Sequence, residues 1–181
     1  MLFWVAGLAY FFGLAMVKFV ERAISDYMRL TRFTDYGLRT LIYLALNPGR
    51  LEQVSEIAKA YHVSETHMTK VVHRLGKAEL IETIRGRHGG IRLILPPAQI
   101  FIGEVVRLME ADLAVAECLG GGKCTISGVC YLTSILDEGL EAMLSTLDRY
   151  TLADIINHEN AALYYRVKGL KTVVETSVVG V

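Results

Sequence analysis

The stretch "VSEIAKAYHVSETHMTKVVHRLGKAELI", residues 54–81, decides the fold class of this chain. Its first part predicts a short helix that Ser55 can cap. A tight link at His62 and Val63 then leads to Ser64, which can cap a second helix. The second helix has four apolar side chains at helical spacing: Met68, Val71, Val72 and Leu75. Two short helices joined by a turn, the second polar on its free side, are typical of a helix-turn-helix.

The next stretch, "IETIRGRHGGIRLIL" at residues 81–95, predicts two short strands around a glycine-rich tip. Glycines allow the backbone to approach a duplex closely, and arginines suit a narrow minor groove. Taken singly, the first stretch is better explained as an ordinary helical hairpin, and the second as an ordinary β-hairpin with solvated charges. In this order they predict a mainly α fold, a winged helix-turn-helix with a short β-hairpin wing.

The charge of the chain is unevenly distributed. Residues 28–100 carry 11 Lys and Arg against 6 Asp and Glu, whereas residues 101–181 carry 6 against 11, so the net charge of zero hides a basic first part. A basic part predicts a polyanionic partner, here double-stranded DNA. The candidate DNA-binding residues are Ser64, Thr66, His67, Lys70, His73, Arg74, Arg85 and Arg87. The first four are assigned to the groove, because recognition helices present their N-terminal residues to base edges.

A long helical pattern follows in "YLTSILDEGLEAMLSTLDRYTLADII", residues 131–156. Its apolar positions advance by three or four residues and form a seam on one side: Leu132, Leu136, Leu140, Met143, Leu147 and Tyr150. Such a seam predicts a dimerisation helix and therefore a homodimer. The alternative is that the helix packs only on its own domain.

Four segments are predicted. Residues 1–27 form an apolar extension that is either a membrane anchor or the product of a start codon chosen upstream of Met28, and the second interpretation is favoured. Residues 28–98 form the DNA-binding domain, residues 99–158 the cysteine loop and dimerisation helix, and residues 159–181 a tail. A cytoplasmic protein is expected, without membrane association unless residues 1–27 are retained.

All three cysteines lie in "CLGGGKCTISGVC", residues 118–130, with five residues between neighbours. An odd number of thiols and no convincing secretory leader argue against a disulfide framework and for a reducing compartment. Residues six apart on an α-helix are rotated by about 240°, so only a glycine-broken loop can bring three sulfurs together. The spacing leaves an iron–sulfur cluster and a zinc ion about equally favoured. No catalytic constellation is present, so no enzyme is predicted.

From residue 28 to about residue 158 the chain resembles the Rrf2 family of transcription regulators. The resemblance rests on "FTDYGLR", the winged helix-turn-helix, the tip "RGRHGGIRL" and the cysteine triplet. The segments "HMTKVVHRL", "IGEVVR" and "YTLADI" are similar to the nitric-oxide-sensing repressors of that family. The iron–sulfur-biogenesis regulators of the family place a histidine three residues after the last cysteine, where this chain has Thr133.

The resemblance implies an iron–sulfur cluster, 4Fe–4S or 2Fe–2S, held by Cys118, Cys124 and Cys130. It also implies a fourth ligand, Asp35, from the same or the partner subunit; Glu117 and Asp137, which are nearer in sequence, are the other candidates. The implied function is a homodimeric repressor that binds operator DNA while its cluster is intact and releases it on reaction with nitric oxide. The alternatives are an Rrf2-type regulator of redox or iron–sulfur status and a zinc- or thiol-switched winged-helix protein without iron.

Overall fold

A computed structural model describes residues 29–157, so the predicted extension (1–27) and tail (159–181) lie outside the described part of the chain. The fold is helix-rich with one antiparallel two-stranded hairpin, as predicted. The elements are α1 (Arg32–Ala45), α2 (Val54–Ala60), α3 (Glu65–Lys77), β1 (Ile81–Ile84), β2 (Gly90–Leu93), a 3-10 turn (Pro97–Gln99), α4 (Ile102–Met109), α5 (Tyr131–Leu147) and α6 (Leu152–Asn157). None of the helices between residues 29 and 157 is long and apolar enough to cross a membrane.

The helix-turn-helix consists of α2 and α3. Helix α2 begins after Gln53, two residues earlier than expected, so Ser55 lies within the helix and does not cap it. The turn passes through His62, whose φ of 53° is in the left-handed region, and the amide of Val63 donates to the carbonyl of Ala58 over 2.9 Å. This pattern is a Schellman motif, which ends a helix and fixes the direction of the chain beyond it. Ser64 then caps α3 as predicted, because its hydroxyl oxygen accepts from the amide of His67.

One hydrophobic core lies beneath α1, α2, α3 and the hairpin. The four apolar residues predicted for the inner side of α3 are all buried. They pack with residues from every neighbouring element, among them Leu41, Leu44, Ile57, Ile81, Ile91, Val105, Met109 and Leu152. Because α4 and α6 contribute to this core, the predicted boundary between residues 98 and 99 falls inside one packed unit.

The wing (residues 81–93) pairs β1 with β2 in a register that places Ile81 opposite Leu93 and Glu82 opposite Arg92. The segment before α2 adds a third, one-residue strand, because Glu52 exchanges two backbone hydrogen bonds with Ile91, of 3.0 and 2.9 Å. Sequence periodicity did not predict this strand, since a single bridging residue carries no alternation. It joins the wing directly to the start of the helix-turn-helix.

The long helix predicted over residues 131–156 is interrupted, and this part of the prediction is wrong. Helix α5 ends at Leu147, and a new helix begins after Thr151. Thr151 and Asp154 form a reciprocal cap: the amide and hydroxyl of Thr151 both donate to the Asp154 carboxylate over 2.7 Å, and the Asp154 amide donates back. The cap starts α6, and Leu152 turns into the core with its amide bonded to the carbonyl of Ile100. Tyr150 therefore does not belong to the α5 seam.

Candidate nucleic-acid interface and cysteine loop

The free side of α3 presents the residues predicted to meet DNA. Because Met68, Val71, Val72 and Leu75 occupy the core side, the opposite side is left to polar groups. The exposed candidates on and just before this helix are Ser64, Thr66, His67, Lys70, His73 and Arg74. Helix α3 thus has the division into a buried stripe and an open polar face that a recognition helix requires.

The tip of the wing holds its arginines at the surface. Arg85 and Arg87 are exposed on either side of Gly86, which has a φ of 114° that side chains rarely tolerate. At Gly89 a Cβ atom would lie 2.0 Å from the carbonyl oxygen of Ile84, so only glycine fits. The tight turn therefore depends on its glycines, and it projects two cations beyond the hairpin.

A cleft of about 370 Å³ separates the recognition helix from the wing. Its lining comes from the start of α2, the first turns of α3 and the wing: Gln53, Val54, Ser55, Glu65, Thr69, Thr83, Ile84, Arg85, Gly86, Gly89, Gly90 and Ile91. The side-chain amide of Gln53 donates to the carbonyl of Gly89, and both residues line the cleft. Sequence reasoning missed Gln53, because its partner lies 36 residues away and no local pattern marks the pair.

Arg74 is exposed on α3, as predicted, but its guanidinium group is engaged within its own subunit. Its guanidinium group donates twice to the carbonyl of Leu108 in α4, from Nε over 3.1 Å and from Nη2 over 2.8 Å. The side chain is thus engaged with a neighbouring helix of its own subunit. Nothing in the sequence around Arg74 indicated this contact, since Leu108 is 34 residues away and contributes a backbone atom.

The cysteine loop (residues 110–130) joins α4 to α5. All three cysteines are free thiols; Cys124 is exposed, and Cys118 and Cys130 are half-buried. Gly121 and Gly128 adopt left-handed φ angles of 86° and 85°, which turn the backbone in the way the glycine content predicted. Among residues 29–157, no group of three or more His, Cys, Asp or Glu side chains is gathered as a metal site. The single subunit therefore does not preassemble the predicted ligand set.

Cys130 occupies the N-cap position of α5. Although its sulfur makes no well-formed capping hydrogen bond, the backbone amide and the hydroxyl of Thr133, followed by the amide of Leu132, lower the pKa of the Cys130 thiol. The free amides at a helix start favour negative charge, so the thiolate is stabilised there. Thiolates are the form in which cysteine binds metals.

The donor set fits a thiophilic metal group. Three uncrosslinked thiols on a glycine-containing loop are soft ligands, of the kind that iron–sulfur clusters and zinc prefer. Because metal ligands commonly converge only when the metal binds, separated thiols in the free loop are compatible with such a site. The fourth ligand must come from outside the triplet.

Asp35 lies in the first turn of α1 with its side chain 43% exposed. Its Oδ1 accepts from Nε of Arg39 over 2.8 Å, and the guanidinium of Arg39 lies 5.6 Å from the centre of the Tyr61 ring. Burial is the main cause that raises the pKa of Tyr61 to about 12, so its hydroxyl stays neutral. The other candidate ligands, Glu117 and Asp137, are exposed.

Helix α5 buries little of its apolar surface within its own subunit. Leu144 is its one buried residue, whereas Tyr131, Leu132 and Ile135 are 78%, 56% and 50% exposed. The end of the cysteine loop adds Val129, which is 86% exposed. This apolar face (Val129 to Ile135) includes both sequence neighbours of Cys130.

Comparison with known families identifies the chain. A model of the Rrf2 family, described as an iron-dependent transcriptional regulator, matches residues 30–158. The chain belongs to the Rrf2 family. The family predicted from the winged helix-turn-helix and the cysteine triplet is thereby confirmed.

Relatives with curated names point to one kind of regulator. The Rrf2-family chain is 49% identical over 135 residues to the HTH-type transcriptional regulator NsrR of Bacillus subtilis strain 168, covering 73% of this chain and 92% of that protein. It is 48% identical over 132 residues to the protein of the same name from Geobacillus kaustophilus, covering 71% of this chain and 90% of that protein. The chain is therefore an NsrR-like transcriptional regulator and not an enzyme.

Solved structures agree on the fold of this Rrf2-family chain. CymR, the global cysteine regulator of B. subtilis, superposes with a TM-score of 0.57 at 27% identity, over 74% of this chain and 99% of that one. IscR of T. potens gives a TM-score of 0.61 at 24% identity, over 75% of this chain and 90% of that one. The predicted fold class, a winged helix-turn-helix followed by a long helix, is confirmed.

Proposed function

We propose that this chain is a nitric-oxide-sensitive iron–sulfur repressor that binds operator DNA as a homodimer in the cytoplasm. The observation that carries the proposal is the cysteine loop. It presents three free thiols, one with a lowered pKa, on the segment that joins α4 to α5. The similarity to regulators named NsrR, at 42–49% identity, supports the same signal.

The DNA-binding surface consists of the free side of α3 and the tip of the wing. Ser64, Thr66, His67 and Lys70 meet base edges in the major groove, and His73 lies farther along the same helix. Arg85 and Arg87 reach a phosphate or the adjacent minor groove, where electrostatic attraction to a narrow groove is strong. Arg74 is omitted from this set, because its guanidinium is already bonded to Leu108.

The occupant of the exposed apolar face is a second copy of this chain. A 17-residue helix with one buried side chain leaves most of its apolar surface in water, which favours association. Three half-buried leucines of α5 extend the face toward its C-terminal end: Leu136, Leu140 and Leu147. A two-fold dimer also supplies the two recognition helices that a symmetric operator requires.

Cys118, Cys124 and Cys130 would hold the cluster, with Asp35 of the partner subunit as the fourth ligand. Asp35 belongs to no metal-binding group within residues 29–157 of its own subunit, and its half-exposed carboxylate is able to reach a neighbouring molecule. A carboxylate is a weaker ligand for cluster iron than a thiolate is, so the fourth coordination position is exchangeable. When bound, the cluster supplies an iron site that reacts with nitric oxide.

Loss of the ligand set acts on DNA binding through the loop ends. The loop continues α4 on one side and begins α5 on the other, so a change in its packing displaces both helices. Complete reversal from bound to free requires a difference of about 5.5 kcal/mol between the two forms. Ligand bonds from three thiolates and a carboxylate can supply a difference of that order.

The test is an anaerobic titration of the purified full chain. Duplexes that bind tightly are first selected from a random-sequence library, and the cluster is followed by its visible absorption and iron content. Nitric oxide is expected to bleach the visible spectrum and to release the selected duplex over the same range of equivalents. Cys118→Ala is the control, because it should neither retain iron nor respond to nitric oxide.

Other results would assign a different function. A colourless protein with stoichiometric zinc would favour the winged-helix protein without iron. A bleached spectrum with the duplex still bound would mean that the cluster is not the switch. A response to oxidants but not to nitric oxide would favour a regulator of redox status.

A further inference from the structure

The C-terminal end of α4 joins three parts of the molecule within residues 108–110. The carbonyl of Leu108 accepts both hydrogen bonds from Arg74 of the recognition helix. The carboxylate of Glu110 accepts from the amide of Thr31 over 2.7 Å, at the start of α1. The cysteine loop begins at the same residue.

The contact of Arg74 is a helix cap made by a side chain. The last carbonyls of a helix have no partner inside it and carry partial negative charge, which a guanidinium group satisfies well. Leu108 is the last residue but one of α4, and the chain leaves helical geometry at Glu110 with a ψ of 133°. Arg74 therefore holds a carbonyl only two residues before the point where the loop departs.

This cap is the principal polar link between the recognition helix and α4. The backbones of α3 and α4 make few other close approaches, whereas α4 packs extensively on α1. Lys77, three residues after Arg74 on α3, is exposed and has no ion-pair partner within residues 29–157. Of the two cations in the last turn of α3, Arg74 bonds to α4, and Lys77 makes no such bond within the described residues.

We infer that Arg74 is a positioning residue that couples the recognition helix to the cysteine loop through the carbonyl of Leu108. The inference rests on the proposed DNA-binding function. A displacement of the loop moves Glu110 and with it the Leu108 carbonyl, and the guanidinium transmits this movement to α3. Because coupling is reciprocal, DNA bound at α3 must also order the start of the loop.

The experiment measures that reciprocal effect by hydrogen exchange, without relying on the cluster. Amides 109–113 are followed in the full chain, with and without the selected duplex, in the parent and in Arg74→Ala and Lys77→Ala. The duplex should slow exchange of these amides about fivefold or more in the parent and in Lys77→Ala. In Arg74→Ala this slowing should be lost.

A second readout separates positioning from phosphate contact. Removing a phosphate contact lowers the slope of log Kd against log salt by about 0.9, whereas removing a positioning residue leaves the slope unchanged. Arg74→Ala is therefore expected to keep the slope of the parent. Should Arg74→Ala fail to fold, Arg74→Lys replaces it in both measurements. Lysine keeps the charge but has a single donor group, so a smaller loss of amide protection is expected.

Each contrary outcome has its own meaning. Equal protection of amides 109–113 in the parent and in Arg74→Ala would overturn the inference, as would a slope reduced by about 0.9. Absence of protection in the parent would also overturn it, while leaving the proposed DNA binding intact. Failure of the parent to select any duplex would instead overturn the proposed function, on which the inference depends.

Discussion

Arg107 of α4 and Asp148, the C-cap of α5, are joined by two charge-assisted hydrogen bonds of 2.6 and 2.8 Å. Gly103 allows this approach, because a Cβ atom there would lie 2.0 Å from Oδ1 of Asp148. The pair anchors α5 to the winged domain at one end, about 25 Å of helix away from the thiol at its other end. The N-terminal end, with Cys130, is left to the loop and, in the proposed homodimer, to the partner.

Asp148→Asn should lower thermal stability at neutral pH. The hydrogen bond from Arg107 is the main cause that lowers the pKa of Asp148 in the folded protein. A depressed carboxyl pKa contributes stability that is present above the ordinary aspartate range, near pH 4, and is lost as the pH falls through the folded value. The Tm difference between parent and Asn variant should therefore be full at pH 7 and shrink toward pH 3.

Thermal denaturation at the two pH values measures this effect. Glu138→Gln, on the exposed side of the same helix, is the control and should leave the Tm unchanged. Equal Tm differences for Asp148→Asn at pH 7 and pH 3 would show that the negative charge of Asp148 does not contribute to thermal stability.

Glu79→Gly should stabilise the fold. Glu79 has a φ of 59° at the end of α3, where the amide of Leu80 donates to the carbonyl of Leu75 in a second Schellman motif. A side chain in this left-handed region costs about 1–2 kcal/mol. Glycine relieves that cost, but its greater conformational freedom in the unfolded chain offsets part of the gain. A gain of about 1 kcal/mol is expected in denaturant unfolding. Glu79→Ala removes the same charge and should give no gain; a gain equal to that of glycine would exclude backbone strain as the cause.

Short-range patterns in the sequence predicted the elements that depend on neighbouring residues. The buried side of α3 and the Ser64 cap follow from helical spacing and N-cap chemistry, so both were predicted. The glycine turn of the wing was also predicted, because left-handed backbone at Gly86 requires that residue type.

Contacts over long sequence distances were not predictable in the same way. The break after Leu147 depends on Leu152 entering a core formed by other elements, and the apolar periodicity continued across it. The one local signal of this break was the capping pattern formed by Thr151 and Asp154. It was overlooked because the apolar spacing continued through it. Arg74 and Gln53 bond to backbone carbonyls more than 30 residues away, which side-chain patterns do not encode.

Arg87→Ala should weaken binding to every duplex and flatten the salt dependence. Arg87 is exposed at the tip of the wing, so its expected partner is a phosphate or the minor groove. Loss of one such contact lowers the slope of log Kd against log salt by about 0.9. Arg149→Ala is the control for general charge effects, because Arg149 is exposed and lies far in sequence from the recognition helix and the wing. A slope equal to that of the parent would remove the wing from the interface.

Ile135→Glu should dissociate the proposed homodimer. Ile135 is 50% exposed on the apolar face of α5, and a charge introduced there would be buried against the partner. Sedimentation velocity should report a monomer, and its cluster should be more labile, because the partner's Asp35 no longer completes the proposed site. Ser134→Glu, on the neighbouring exposed position, should remain dimeric. A dimeric Ile135→Glu protein would place the interface elsewhere.

Substitutions at Asp35 separate a gas-sensing site from a structural metal site. Structural metals are held by ligands that resist exchange, whereas a sensor requires one weak position. Asp35→Ala should leave the three thiolates in place and permit a cluster that is more labile, while freeing Arg39 from its 2.8 Å ion pair. Asp35→Cys should hold the cluster more firmly and require more nitric oxide for DNA release, because a thiolate binds iron more strongly than a carboxylate. Arg39→Ala is the control for the lost ion pair and should keep cluster stability. If Asp35→Ala matches the parent in cluster lifetime and in nitric oxide response, the fourth ligand lies elsewhere, and Glu117 is the next carboxylate to replace.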